Sequence, residues 1–510
     1  MGCYLPETGN PLIGSVLIAN RGEIAVRIVR GARECGVHAI AVFSEADRLA
    51  PHVLAADEAH CIGPAPSAES YLRGDALIEL ALRVGAEAIH PGYGFLAERA
   101  DFARAVEAAG LLFIGPAPDT IAAMGDKTEA RRRMSEAGVP IVPGLTEAVA
   151  DPEAAEAAAE EIGFPVLLKA SAGGGGKGMR VVEEAADLRR AFEAASREAL
   201  AAFGDGSVYL ERYLQRPRHV EIQLLGDTHG NVVHLAEREC SIQRRHQKLV
   251  EEAPSPVLSE EERARMGETA VTAARAVDYR GAGTVEFLYE RGEYFFLEMN
   301  TRLQVEHPVT ELVTGIDLVE WQFRVASGEA LAFTQDDIGI TGHAIECRIT
   351  SEDHLGGFLP STGTISHFEI PSGPGVRWDG GVVQGGEVTL HYDPLLGKLI
   401  VHGATRASAI DRMARALDEL VVAGVETCAP FHRRVMEEPD FRAGKVSIRY
   451  IEEHPELVED DGSERDLLAA AIGAALLEDE HRRHRAPRIA PSEGPSISPW
   501  RRVGSPGRGE

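Results

Sequence analysis

Cysteine is scarce in this 510-residue sequence. There are six cysteines and no C-x-x-C pair; they stand at positions 3, 35, 61, 240, 347 and 428. Scattered single cysteines argue against a disulfide framework and against a zinc site, and they are typical of reduced thiols. We therefore predict a cytoplasmic protein.

Long apolar runs and an excess of positive charge are also missing. The sequence has no apolar run long enough for a transmembrane helix and no basic N-terminal segment typical of a signal peptide, so neither is expected. The formal net charge of -28 argues against nucleic-acid and membrane partners, but it allows a local anion pocket. The length favours roughly two to four domains.

A dinucleotide-binding fingerprint is absent where the fold would place one. Residues 15–19 form a short apolar strand, a helical pattern follows, and residues 39–43 form the next strand. This β-α-β start predicts a parallel, Rossmann-like sheet in an α/β protein. The turn Asn20-Arg21-Gly22-Glu23 lacks the pattern G-x-G-x-x-G, so dinucleotide binding is disfavoured.

A glycine-rich stretch, 171–179, follows a strand that ends in Lys169. Its four consecutive glycines expose backbone N–H groups to an anion, and Lys169 and Lys177 add positive charge. The Walker A pattern fails, so we predict a flap over phosphates, with a flexible turn as the alternative. Lys127 is electrostatically misplaced at a helix start. That suggests a phosphate contact, with a plain exposed lysine as the alternative.

A hairpin is predicted from residues 284–288 and 294–300. Residues 290–292 end in glycine and suit a three-residue loop. In that register Glu286 faces Phe296, and Glu298 lies diagonally next to Glu286 on the same face.

Two carboxylates and an amide then converge on the hairpin, from Glu286, Glu298 and Asn300. Like charges so placed are unfavourable unless a cation lies between them. Oxygen ligands without cysteine suit Mg²⁺ or Mn²⁺ better than Zn²⁺. A solvated polar strand face is the alternative.

Two further groups of polar residues border the hairpin. Five cationic or histidine residues lie within the eleven positions from Arg238 to Lys248. In an acidic protein they favour an anion pocket over a solvated charge run. Arg348 lies on the polar face of a predicted strand at 344–349, and Arg302, Gln304 and Glu306 follow the hairpin.

These motifs, in this order and at this spacing, identify a family. They are Gly125-Asp-Lys127, the glycine-rich flap, Arg218 to Gln223, Gln243 to Lys248, and Glu298 to Pro308. Over about residues 14 to 455 the chain resembles the biotin carboxylase component of biotin-dependent carboxylases, within the ATP-grasp superfamily. The resemblance implies a Rossmann-like N-terminal domain (14–125), an ATP-grasp domain (126–340) with a mobile lid (about 141–213), a biotin carboxylase C-terminal domain (341–455) and a tail (456–510).

The resemblance also implies roles for individual residues. The catalytic group is Lys248, Arg302, Glu306 as the general base, and Arg348, which also binds biotin. Bicarbonate binding falls to Lys248, Arg302, Gln304 and the backbone of Val305. ATP binding falls to Lys127, Lys169, Gly175, Gly176, Glu211, Arg212, Tyr213, Leu214, His219, Gln243, His246, Glu286 and Glu298. The metal ligands are Glu286, Glu298 and Asn300, for two Mg²⁺ or Mn²⁺ ions.

The implied reaction is ATP- and bicarbonate-dependent carboxylation of biotin through carboxyphosphate. We expect it to be the first half-reaction of an acyl-CoA carboxylase, with acetyl-CoA in fatty-acid synthesis as the acceptor and propionyl-CoA or pyruvate as alternatives. A different ATP-grasp ligase that joins a carboxylate to an amine, and a catalytically dead paralogue, are the competing interpretations.

Partners follow from the same resemblance and from one missing motif. No Ala/Val-Met-Lys-Met type turn occurs, so biotin is expected on a separate carrier protein. Carboxyltransferase subunits and a second copy of the chain, forming a homodimer, are the other expected partners. In the tail, apolar residues from Leu467 to Leu476 follow helical spacing. That helix either packs on its own domain or docks a partner. Residues 481–485 and the end of the chain are predicted to be disordered.

Overall fold

The chain opens with a parallel sheet and its helices. The computed structural model describes residues 13–144, 149, 151–170, 179–203, 208–459 and 464–485. The first elements are β1 (Ser15–Ile18), α1 (Gly22–Glu34), β2 (His38–Ser44), α2 (Pro51–Ala55), β3 (Glu58–Gly63), α3 (Gly74–Val84), β4 (Ala88–His90), α4 (Ala100–Ala108), β5 (Leu112–Phe113) and α5 (Pro118–Gly125). The strands lie in the order β3-β2-β1-β4-β5, all parallel.

The parallel start predicted from the sequence is confirmed. Strands β1, β2 and β4 are apolar and buried almost throughout, as expected when helices cover both faces of a parallel sheet. Helix α1 buries Ile24, Ile28 and Val29 against it. The turn after β1 contacts a later part of the chain, since the Arg21 guanidinium lies 3.9 Å from the centre of the Tyr392 ring.

A small antiparallel sheet follows, within the predicted lid range. Before it comes α6 (Lys127–Glu136), whose buried Ala130 and Met134 pack with the large sheet described next. The region itself holds α7 (Pro152–Ile162), β6 (Val166–Ala170), β7 (Met179–Val182), α8 (Ala185–Phe203) and β8 (Val208–Arg212). The strand order is β7-β6-β8. Buried residues of α7 and α8, among them Ala159, Leu188 and Phe192, pack with Val166 and Leu210 of the strands. This region thus has a core of its own.

An eight-stranded sheet forms the body of the molecule. Its first part holds β9 (Arg218–Gly226), β10 (Val232–Arg244), β11 (Gln247–Ala253), α9 (Glu260–Arg275), β12 (Gly281–Glu290), β13 (Glu293–Asn300), α10 (His307–Thr314) and α11 (Leu318–Ala326). Its remaining strands are β14 (His343–Thr350), β19 (Val376–Gly380) and β21 (Leu395–Gly403). The short strands β15 (Glu352–Asp353), β16 (Leu359–Pro360), β17 (Gly363–Thr364), β18 (His367–Glu369) and β20 (Glu387–Val388) lie between them in sequence and belong to separate two-stranded sheets. The sheet order is β13-β12-β9-β10-β11-β14-β21-β19, antiparallel throughout.

Helices cover the far end of this sheet. The last elements of the first unit are α12 (Arg406–Glu419), β22 (Val421–Ala423), α13 (Ala429–Glu437), α14 (Pro439–Arg442) and α15 (Tyr450–Glu453). Residues Ile410 and Met413 of α12 and Phe431 of α13 pack with Ile345 and Leu399 of the sheet. One continuous sheet therefore joins the hairpin of β12 and β13 to the strand that carries Arg348.

The tail forms a separate unit that starts at Glu459. Its described part is one helix, α16 (Glu464–Arg485). The predicted helix is confirmed, but the prediction of disorder for residues 481–485 is wrong, because these residues continue the helix. Residues 486–510 lie outside the described part. Across the described ranges, no helix combines the length and apolar content needed to cross a bilayer.

Candidate active site

The hairpin of β12 and β13 places two carboxylates directly opposite each other. Glu286 pairs with Glu298, and Phe287 pairs with Phe296. Leu297 is therefore an extra residue, a β-bulge that turns its side chain to solvent. The predicted register is wrong for two reasons. The loop has two residues, Arg291 and Gly292, both with positive φ, as in the tight primed turns. The bulge at Leu297 then shifts the pairing by one further residue beyond it.

Glu286 is the most heavily contacted carboxylate of the site. Its Oε1 accepts from Lys248 at 2.9 Å, Asn300 at 2.8 Å and Gln304 at 2.8 Å. Its Oε2 lies 2.9 Å from His219 Nε2. Burial would raise the pKa of Glu286, but Lys248 and His219 hold it well below its ordinary value. Glu286 is therefore a carboxylate at neutral pH.

Glu286, Glu298 and Asn300 offer an oxygen donor set for a divalent ion. Glu298 is half-buried, and burial together with Glu286 raises its pKa while Lys127 and His219 lower it. A raised pKa between facing carboxylates is the expected sign of a place where a cation would relieve repulsion. Carboxylate and amide oxygens without cysteine fit Mg²⁺ or Mn²⁺. The metal-ligand assignment stays a prediction.

Lys248 is the cation at the centre of the site. Its Nζ lies 2.5 Å from Glu221, 2.9 Å from Glu286 and 2.6 Å from Glu306. Burial would lower its pKa, but these three carboxylates raise it well above the ordinary value. All three N–H donors of Lys248 are used in these contacts, so an anion that binds Lys248 must displace one of the three carboxylates from it.

Glu306 and Arg348 form the next pair. Glu306 Oε2 accepts from Arg348 Nη2 at 2.8 Å, while its Oε1 accepts from Lys248. Arg348 Nε donates to Glu251 at 2.6 Å. Burial would raise the pKa of Glu306, but Lys248 and Arg348 lower it below its ordinary value. Burial raises the pKa of Glu251 to about 7 despite Arg348. Glu306 is thus an ionised carboxylate between two cations.

Arg302 and Gln304 line the same region. Arg302 forms an ion pair with Glu98 at 3.0 Å, and its Nη2 donates to Asn300 at 3.0 Å. Gln304 accepts from Arg238 Nη2 at 2.6 Å and donates to Glu286. Its amide therefore links a buried guanidinium to the candidate metal ligand.

The connection between β8 and β9 carries the predicted nucleotide hinge. The backbone N–H of Arg212 donates to Pro143 at 2.8 Å, and that of Tyr213 donates to Pro165 at 2.9 Å. Leu214 is buried beside Val142 and Phe295. The chain is thereby fixed where the small sheet joins the large one.

Of the lysines predicted to meet phosphates, only Lys169 is shown at this hinge by the described contacts. Lys169 forms an ion pair with Glu211, and Lys127 is exposed at the start of α6. Gly175 and Gly176 lie outside the described residues. The described geometry therefore brings Lys169 to the hinge but does not test the flap.

The remaining predicted nucleotide residues differ in their placement. Burial lowers the pKa of His219, but Glu286 raises it to about 9, so this ring is an imidazolium. Gln243 donates to the carbonyl of Cys240 at 2.8 Å. His246 is exposed in the turn between β10 and β11, with a positive φ. The structure joins His219 to the carboxylate cluster and leaves His246 at its rim.

Three buried charged residues belong to the site although the resemblance implies no role for any of them, and the sequence predicts only that Arg238 lies in an anion pocket. Arg238 is fully buried and donates to Glu221 at 2.5 Å, as well as to Gln304. Glu251 holds Arg348, and Glu221 holds Lys248. The sequence holds one signal that could identify them. Each is an ionisable residue at an inward position of a buried strand, and such residues are rarely buried without a partner.

Comparison with known families gives three matches in chain order. The matching families are described as the biotin carboxylase N-terminal domain over residues 12–121, the carbamoyl-phosphate synthase L chain ATP-binding domain over residues 126–334, and the biotin carboxylase C-terminal domain over residues 346–453. Together they cover most of the first unit.

Individual relatives agree with the family matches. The chain is 53% identical over 442 residues to a biotin carboxylase of Haemophilus influenzae, in a match that covers 86% of this chain and 98% of the relative. It is 54% identical over 444 residues to a pyruvate carboxylase subunit of Methanothermobacter thermautotrophicus, and that match covers 87% and 90%.

A solved structure has the same fold. It is the biotin carboxylase domain dimer of the Hydrogenobacter thermophilus 2-oxoglutarate carboxylase, in complex with MgADP, ADP and bicarbonate. The TM-score is 0.79 at 49% identity, and the match covers 88% of this chain and 99% of the other.

Proposed function

Because the chain belongs to the biotin carboxylase family, we propose that it carboxylates biotin on a separate carrier protein, using ATP and bicarbonate, through carboxyphosphate. The observation that carries this proposal is the position of Glu306. This carboxylate is buried, ionised and held between Lys248 and Arg348. The proposed reaction needs a base that takes a proton from bicarbonate, with one cation beside it to bind bicarbonate and another to bind biotin. Glu306, Lys248 and Arg348 match these three requirements.

Bicarbonate binding is assigned to Lys248, Arg302, Gln304 and the backbone of Val305. Lys248 is now paired with Glu221, Glu286 and Glu306. A bicarbonate ion that binds beside Lys248 takes the place of one of these carboxylates as its partner. Glu306 then takes the bicarbonate proton, which leaves the oxygen free to attack the γ-phosphate of ATP.

ATP binding is assigned to the hinge Glu211–Leu214, with Lys127, Lys169, Gly175, Gly176, His219, Gln243 and His246 around it. Glu286, Glu298 and Asn300 would hold Mg²⁺ or Mn²⁺. When bound, divalent ions neutralise charge on the triphosphate and favour the in-line attack. One of these ligands, Glu286, is kept ionised for that purpose, since Lys248 and His219 lower its pKa.

Arg348 is assigned to biotin. The guanidinium is held from both sides, by Glu251 at 2.6 Å and by Glu306 at 2.8 Å, so its direction is fixed before biotin arrives. Such a preorganised cation stabilises the charge that develops on the ureido oxygen when the N–H proton leaves. Phosphate released from carboxyphosphate is the acceptor of that proton.

The domain boundaries are part of the proposal. Residues 14–125, 126–340 and 341–455 are assigned to the N-terminal, ATP-grasp and C-terminal domains, with a lid at about 141–213. The separate core of α7, α8 and the small sheet supports a lid that moves as one body.

For the partners, we propose a biotin carrier protein, carboxyltransferase subunits and a second copy of the chain, in the cytoplasm. The acceptor proposed first is an acyl-CoA, acetyl-CoA in fatty-acid synthesis. Pyruvate is the competing acceptor, because one relative is named as part of a pyruvate carboxylase. Purification of the chain from its native cells with its partner subunits, followed by carboxylation assays on acetyl-CoA, propionyl-CoA and pyruvate, distinguishes these acceptors.

Release of ADP tests the proposed reaction. We expect ADP release to require bicarbonate and to rise when free biotin is added. A chain that releases ADP only with an amino acid or another amine would instead be a carboxylate–amine ligase, and one that releases none would be an inactive paralogue.

A further inference from the structure

The loop between β13 and α10 carries most of the residues assigned to bicarbonate, yet its backbone is held by side chains. His307 Nδ1 lies 2.7 Å from the carbonyl oxygen of Gln304. Lys398 Nζ donates to the carbonyl oxygen of Val305 at 2.7 Å. Two successive peptide groups are therefore fixed by two donors from outside the loop.

The planarity of the peptide bond gives these contacts a direction. In a trans peptide the N–H points away from the preceding carbonyl. His307 therefore sets the direction of the Val305 N–H, and Lys398 sets the peptide from which the Glu306 side chain departs. The proposed reaction needs the backbone of Val305 to bind bicarbonate and the carboxylate of Glu306 to take its proton, so these two groups must be correctly placed relative to each other.

Lys398 reaches the loop from β21 through a fully buried position. Its side chain is 0% exposed and lies 3.3 Å from Glu23 Oε2, which is itself 2% exposed. The Tyr93 hydroxyl donates to Glu23. Asp379, at 4.0 Å, is occupied by two hydrogen bonds from Arg377. Glu23 is thus the carboxylate that compensates the buried ammonium.

This chain of contacts joins three parts of the molecule. Glu23 is at the start of α1, and Tyr93 belongs to the glycine-containing loop after β4. Lys398 is on the far part of the large sheet, directly opposite Arg348. A buried ion pair is a poor source of stability compared with apolar side chains of the same size. A role in fixing geometry accounts for its presence here.

We propose that Lys398, held by Glu23, is a positioning residue for bicarbonate activation, because it fixes the Val305 carbonyl and with it the direction of Glu306. The inference rests on the proposed function and adds two residues to it. Lys398 also acts on the neighbouring donor. Burial, with the charges of Lys398, Arg27 and Arg377, holds the pKa of His307 well below its ordinary value, so His307 stays neutral and donates from Nδ1.

The double variant Glu23→Gln/Lys398→Met separates positioning from stability. Lys398→Met alone leaves Glu23 buried without its cation and is expected to unfold more readily. Adding Glu23→Gln removes that charge and should restore most of the stability, but it does not restore the donor to Val305. We expect kcat/KM for bicarbonate to fall about 10- to 100-fold in the double variant, the worth of a charged hydrogen bond. Binding of MgADP should change less than about twofold.

An ion pair between the buried Glu252 and the partly buried Arg406 provides the control. Arg406 donates to Glu252 at 2.7 Å and 3.0 Å, on β11 and away from the loop. Glu252→Gln/Arg406→Met should leave kcat/KM for bicarbonate within about twofold of the wild type. Recovery of bicarbonate kinetics together with stability in Glu23→Gln/Lys398→Met would overturn the proposal, as would an equal loss in the control pair.

The wild type decides whether the underlying function holds. Bicarbonate-stimulated ADP release in the wild type, with a loss confined to the Glu23/Lys398 variant, supports both conclusions. Stimulation in the wild type with unchanged kinetics in that variant overturns the positioning role alone. A wild type without stimulation overturns the proposed function and the positioning role with it.

Discussion

Replacing Glu306 by Gln tests the assignment of the general base. The carboxylate accepts from Lys248 at 2.6 Å and from Arg348 at 2.8 Å. The amide of Gln at position 306 would keep one acceptor oxygen for one of these two cations and would place an NH₂ group, which cannot accept, against the other. One charge-assisted hydrogen bond is therefore lost, which costs about 1.5–3 kcal/mol. Lys248 keeps Glu221 and Glu286 as partners, so the site should remain folded.

The catalytic effect should be larger than the structural one. Loss of a general base lowers the rate by about 10²–10⁴-fold, so Glu306→Gln should lose bicarbonate-dependent ATP cleavage and retain nucleotide binding. The assay is ADP release with and without bicarbonate, with MgADP binding measured by calorimetry.

Glu346 supplies a matched control for the same chemical change. It is fully buried, and neither of its oxygens has a hydrogen-bond partner within the described residues. Burial raises its pKa well above the ordinary value, so Glu346→Gln replaces a neutral acid by a neutral amide. We expect nearly normal rates from it. If Glu306→Gln keeps the wild-type rate, another group takes the proton and the assignment is wrong.

Three further changes have defined outcomes. Glu298→Gln should reduce turnover more than stability, most strongly at limiting Mg²⁺, because it removes a predicted ligand and also a repulsive neighbour of Glu286; normal turnover there would show that Glu298 is not a ligand. Arg348→Ser should leave ATP cleavage largely intact while biotin carboxylation is lost, measured by ADP and carboxybiotin in the same sample; equal loss of both would place Arg348 in the first step. His219 has a pKa of about 9, above its ordinary 6.5, so its contribution to stability is fully present below pH 6.5 and is lost as the pH rises through 9. Unfolding curves of His219→Gln and the wild type, without nucleotide, should converge over that range, and a constant offset would contradict the shift.

The parallel sheet could be predicted because its signals are local. Apolar runs such as residues 15–18 and 39–43 alternate with a helical pattern, and both are buried as that pattern requires. The hairpin that carries Glu286 and Glu298 can also be predicted from local signals, namely the alternation of residues 294–300 and the glycine that ends the loop 290–292.

The register of that hairpin could not be predicted from alternation alone. A bulge at Leu297 shifts every side chain on one side of it by one position. Leu297 continues the apolar alternation of Phe295 and Met299, so the local sequence does not distinguish this bulged strand from a regular one. The bulge is what brings Glu298 directly opposite Glu286.

The contacts of Arg238 and Lys398 are a second feature that could not be predicted from the sequence. Each is fully buried and reaches its partners across the sheet, Arg238 to Gln304 and Lys398 to Val305. Contacts between residues so far apart in sequence depend on strand order, which periodicity does not give. Their hydrogen-bond partners are therefore visible only in the structure.

The transfer of oxygen from bicarbonate to phosphate tests the central claim most directly. If bicarbonate attacks the γ-phosphate, one of its oxygens remains on the phosphate when carboxyphosphate releases CO₂. With ¹⁸O-labelled bicarbonate and short reaction times, mass spectrometry should find one labelled oxygen in the inorganic phosphate of each turnover. Phosphate that carries no label above the water control would show that water attacks ATP and would contradict the proposed mechanism.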